Sequence, residues 1–195
     1  MPEVELPKTD ELEEIRGKGF TKRVALSTAI VAVLLAITSL GGNKAMKEML
    51  LAQQQSSDQW AFYQSKVVRE HFYRTQKIQM ETALLERGEA MRPDVRRQYE
   101  ALLKKAQDEE LRYGEEKKKI EEEARRLEHE RDLYRSKDPY FEYAEALLQI
   151  SIVLASIAII ALSRQIYSFS VVAAVLGTVF MVNGYILIFR LPFFQ

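Results

Sequence analysis

The sequence predicts an all-α protein: three transmembrane helices, with a long antiparallel helical hairpin of coiled-coil type between the first and second spans. Three observations predict it. Charge is segregated, because 28 basic and 28 acidic residues balance overall yet crowd the middle of the chain, leaving long uncharged runs near both ends. Eight glycines and five prolines among 195 residues are few, which favours long helices over strands and turns. A seven-residue repeat then runs through the charged middle, the period of helices wound around each other.

Residues 1–22 form a short polar N-terminal segment, in which Asp10 is placed to cap a Glu-rich helix. The first span is expected over residues 23–42. Val24 to Leu40 is uncharged and, with Gly41 and Gly42, reaches the roughly twenty residues that cross a hydrocarbon core of about 30 Å. A cleaved signal peptide would also place basic residues such as Lys22 and Arg23 before an apolar run. This run is longer than a signal's apolar region and its leading segment is too long, so an uncleaved anchor is the better reading. The second span is expected over 144–162, with Glu145 at its mouth, and the third over 167–189. Ser163, Arg164, Gln165 and Ile166 are left as the link, short enough to force antiparallel neighbours. Burying three such runs inside a soluble protein would need a far larger core than this chain can build.

Between the spans, residues 43–143 are expected to form the hairpin, with arms 43–86 and 94–137. Gly88 can stop a helix and Pro93 can begin one, so Arg87 to Pro93 reads as the turn. Each arm of about 44 residues would extend about 65 Å at 1.5 Å per residue. In the second arm Tyr99, Ala106, Tyr113, Ile120, Leu127 and Tyr134 recur every seventh residue, and Leu103 and Ala124 widen that seam. Glu109, Glu116, Glu123 and Glu130 form a parallel column. It reads as the solvated flank of the seam, because Lys117 to Lys119, Arg125 and Arg126 neutralise it against service as a cation-binding stripe.

The first arm carries only eleven charged residues, and its apolar positions spread over more than one stripe. One partner arm cannot cover so wide a surface. The expected consequence is a homo-oligomer, with Trp60, Phe62, Tyr63, Val67 and Phe72 as interface residues. In the third span Asn183 is the notable polar group. It is expected to bond across helices, with Gln149, Ser151 and Ser156 of the second span as partners.

The stretch Ser57-Asp58-Gln59-Trp60-Ala61-Phe62-Tyr63-Gln64-Ser65-Lys66, with Asn43-Lys44-Ala45-Met46 before it, resembles a bacterial family of membrane proteins defined only as a domain of unknown function. The resemblance covers nearly the whole chain. It implies one N-terminal span, a helical insert and a C-terminal pair of spans. It brings no activity, substrate or catalytic residue.

No catalytic, cofactor or metal site is expected. Cysteine is absent, which excludes disulfides, thiolate metal sites and cysteine nucleophiles. His129 lies between Glu128 and Glu130, but adjacent helical residues point apart. Gly-rich phosphate loops, HExxH and the Gly-x-Ser-x-Gly elbow are all missing. The Lys117–Lys119 run sits amid glutamates, which argues against nucleic acid. The partners expected are membrane lipid and further copies of the chain. The function expected is a non-enzymatic, membrane-anchored scaffold. The alternative is an oligomeric channel or transporter with its pore among the spans. Arg16, Lys18, Lys22 and Arg23 before the first span favour a cytoplasmic N-terminus and a periplasmic hairpin in a bacterial inner membrane.

Overall fold

The structure, a computed structural model, describes the backbone of residues 9–189 and the side chains of residues 18–189. Its elements are α1 (Thr9–Arg87), α2 (Pro93–Ile160) and α3 (Arg164–Ile186), and the described residues contain no strand. Each helix contains a segment long and apolar enough to cross a membrane. The Asp10 side chain lies outside the described residues, but α1 already runs unbroken from Thr9.

Local chemistry sets the helix ends. At the close of α1 the Gly88 amide donates to the Leu84 carbonyl at 2.9 Å. A Cβ on Gly88 would sit 2.2 Å from that carbonyl oxygen, so only glycine fits this turn. Pro93 occupies the first position of α2, where a missing amide hydrogen costs nothing. The α2–α3 link lies at Ala161–Ser163, earlier than the predicted Ser163–Ile166, because Ser163 caps α3 and accepts from the Ile166 amide. Leu162 turns the corner in left-handed conformation, φ 48°. α3 ends at Ile186, short of the predicted Phe189, through a left-handed Leu187 whose amide donates to Asn183 at 2.7 Å.

The chain divides into two compact units, residues 1–48 with 133–195, and residues 49–132. The first unit is built on small and aromatic residues: Val24, Tyr140, Phe141, Ala144, Leu148, Ala155 and Ala158 are buried. Its apolar residues also face outward, among them Leu26, Val33, Leu40, Val153, Val172 and Val179. At Gly177 a Cβ would meet Leu148 at 3.0 Å and the Ala144 carbonyl at 3.1 Å, so α3 lies close against α2.

In the second unit α1 and α2 pair antiparallel, since Ser56 meets Ala124, Lys66 meets Glu116 and Lys77 meets Glu110. Ala106, Tyr113 and Leu127 of the seven-residue column are buried, as is Ala124 beside it, with Ala52, Ser56 and Glu70 from α1. Ion pairs line this seam. Lys66 bonds Glu116 at 2.6 Å, Arg74 and Lys77 bond Glu110 at 2.8 and 2.6 Å, and Lys117 bonds the buried Glu70. Lys77 and Arg74 hold the Glu110 carboxyl below its usual range, and Lys66 does the same for Glu116.

Candidate functional site

The five residues expected at an oligomer interface divide between two faces. Trp60, Tyr63 and Val67 are half-buried within the second unit. The Trp60 indole donates to Glu128 at 3.0 Å, packs edge-on against Tyr63 at 5.4 Å, and lies beneath the Arg125 guanidinium. Within the chain, Trp60 therefore serves the hairpin's own seam. Phe62 and Phe72 face outward.

They belong to a longer face. Phe62, Ser65, Val68, Phe72, Thr75, Ile78, Thr82 and Leu85 follow one another at three- and four-residue steps, and none is charged. All eight are exposed, with Val68 at 68% and Leu85 at 87%. The intervening hydroxyls turn back onto their own helix: Ser65 donates to the Phe62 carbonyl, Thr75 to His71 and Thr82 to Ile78, at 2.7–2.9 Å. Their hydrogens are thereby satisfied, and the face is less polar than its composition implies. The apolar surplus of the first arm signals such a face in the sequence. Which residues form it is decided by the seam, and the polar members of the seam, Ser56, Lys66, Glu70 and Lys77, hide its course.

The first unit holds a second feature, a groove of about 580 Å³ lined by Val31 and Leu34 of α1, Ala155 of α2, and Ala174, Thr178 and Val182 of α3. At one end Tyr167 donates to the Ser27 hydroxyl at 3.2 Å and meets Phe20 edge-on. Further along, Tyr185 donates to the Ile37 carbonyl at 3.1 Å and meets Phe141 edge-on. These two contacts tie α1 to α3 on either side of the groove. Across its floor Ser151 and Ser170 each donate to the other's carbonyl at 2.8 Å.

The polar residues predicted to join the spans are placed differently. Asn183 donates to the Phe189 carbonyl at 2.8 Å and accepts from its amide at 2.9 Å, so it closes the end of its own helix instead of crossing to α2. Gln149 is exposed and reaches Glu145 of its own helix, and Ser156 bonds the Ile152 carbonyl. The Ser151–Ser170 pair makes the cross-helix contact, and nothing in the sequence distinguishes Ser170 from its neighbours. Glu145 also accepts from Ser39 of α1 at 2.9 Å.

No curated protein and no solved structure matches the chain. The sequence model of the family described as Domain of unknown function (DUF4337) matches residues 20–187, from the start of the first apolar segment to the end of α3. The chain, whose ion-paired seam and uncharged face fall within that match, belongs to the DUF4337 family.

Proposed function

We propose that the chain is a membrane-anchored scaffold: three helices cross a bacterial inner membrane, and residues 49–132 form a coiled-coil hairpin that joins copies of the chain. The observation that carries the reading is the uncharged face of α1 from Phe62 to Leu85, on a unit whose other surfaces are dense in ion pairs. A helix face left so apolar in water calls for a partner surface. Full burial of one large side chain is worth roughly 1.5–3 kcal/mol, so a few per subunit hold an assembly together. A second copy presents the same face, which closed symmetric assemblies use. The basic flank of the first span supports a periplasmic hairpin.

The test is subunit mass by light scattering on the full-length protein in detergent, with the detergent contribution subtracted. Wild type is expected as an oligomer, and V68D/F72D, at exposed positions, as a smaller species with unchanged helicity. A monomeric wild type would falsify the scaffold reading. A ring with a continuous axial opening in particle images would replace it with a pore.

A further inference from the structure

Beyond the scaffold reading, though resting on its claim that the apolar segments cross a membrane, the first unit carries a feature with its own chemistry. A cavity of about 310 Å³ lies where the first apolar run ends. Lys44 of α1 and Lys137 of α2 both line it, together with Leu40, Tyr134, Phe141 and Tyr185. The lining is thus cationic and aromatic, and no carboxylate contributes to it.

The two lysines differ from those at the seam of the other unit. Lys66, Lys77 and Lys117 each bond a glutamate. Among the described residues, neither Lys44 nor Lys137 forms an ion pair. The nearest carboxylates in sequence, Glu48 and Asp138, do not line the cavity. Asp138 makes no ion pair with Lys137, and burial raises its carboxyl. The Lys137 amine instead lies 5.5 Å from the centre of the Tyr134 ring. Lys44 stands one turn past Leu40, and Lys137 two turns before Ala144, which places both charges at the level where an apolar span meets water. Tyrosine is the side chain that suits that level.

We propose that this cavity binds the phosphate headgroup of an anionic phospholipid, with Lys44 and Lys137 on the phosphate and Leu40, Phe141 and the tyrosines against the glycerol and the first acyl carbons. A free phosphate would gain nothing from the apolar half of the lining, which is why the proposal commits to a lipid. Lysines near a membrane surface strengthen attachment to anionic lipid. Removal of both should reduce retention of such a lipid roughly thirtyfold.

The experiment is native mass spectrometry of the delipidated full-length protein, offered phosphatidylglycerol or phosphatidylcholine with identical acyl chains. Wild type is expected to retain phosphatidylglycerol preferentially. K44A/K137A should lose that preference, while K44R/K137R keeps it. K47A/R135A removes two cations that do not line the cavity, and should also keep it. Equal retention of the two lipids by wild type overturns the proposal. So does an equal loss in K47A/R135A, which would mean surface charge in general, and so does displacement by millimolar inorganic phosphate, which would mean a site for the free anion. Carbonate extraction of membranes reports separately whether the chain is integral, so failure of the spanning claim is distinguishable from failure of the lipid site.

Discussion

Residues 1–48 with 133–195 turn Leu26, Val33, Val153 and Val172 outward and keep alanines, glycines and serine hydroxyls at their helix contacts. Residues 49–132 also place small residues at the contact, Ala52, Ser56, Ala106 and Ala124, but surround them with ion pairs and, apart from the Phe62–Leu85 face, turn charge outward. Close helix approach is common to both, and the polarity of the outer surface is what differs. In the apolar unit the contact is stiff in shape, because backbone and ring lie where a Cβ would go. In the charged unit it is tolerant in shape and dependent on ionisation.

That contrast can be broken most sharply at Gly41. A Cβ there would come within 2.6 Å of both a Phe141 ring carbon and the Tyr185 hydroxyl. Phe141 is buried and cannot yield freely. Gly41→Ala should therefore destabilise the full-length protein by about 1–3 kcal/mol as overpacking. Gly19→Ala, with nothing within 4 Å, should be neutral or stabilising by up to ~1 kcal/mol through helix propensity. Thermal unfolding in detergent measures both, and equal melting temperatures for the two variants would refute the close contact.

Acid sharpens the other side of the comparison. Glu110 and Glu116 have folded-state pKa values held below their unfolded ones by Lys77, Arg74 and Lys66. Their contribution is complete above the ordinary glutamate value of about 4.3, and it is lost as pH falls through the lowered folded values. Amide exchange at several pH values, corrected for intrinsic rates, should show residues 49–132 loosening below about pH 4. The Ser151–Ser170 contact holds no ionisable group, so amides around it should keep their protection. Uniform loosening of both units would contradict the division.

The smallest expected effect is at Asn183. Its two bonds go to Phe189, so Asn183→Leu should release the turn after Ile186 at a cost of ~1 kcal/mol and leave α3 against α2. Faster exchange confined to the Phe189 amide is the expected signature. Exchange rising along all of α3 would return Asn183 to the role of an interhelical bond.

What can be read from the sequence follows the same division. The apolar segments stand out because an uncharged run of about twenty residues matches the thickness of a bilayer core and exceeds what most buried helices need. The second arm's column is readable because Tyr113 and Leu127 are large, apolar and seven-spaced. The matching seam on α1 is not, since much of it is Ala52, Ser56, Lys66, Glu70 and Lys77, which look like surface until their partners on α2 are known. Trp60 illustrates the same limit: its size marks it as an anchor, but only the position of Glu128 decides what it anchors. Asn183 misleads for a different reason. Its partner is six residues away across a left-handed Leu187, a bend that no local pattern in the sequence announces.

The reciprocal bonds of Ser151 and Ser170 restrict how the helices can move. Each hydroxyl holds the other's carbonyl, so the two bonds close a ring between α2 and α3. Sliding one helix past the other by a single residue, about 1.5 Å, stretches both bonds together. The joint behaves as a dovetail: it resists shear along the helix axes, and parts only when the helices separate sideways. The first third of α3 is thereby held in register with α2.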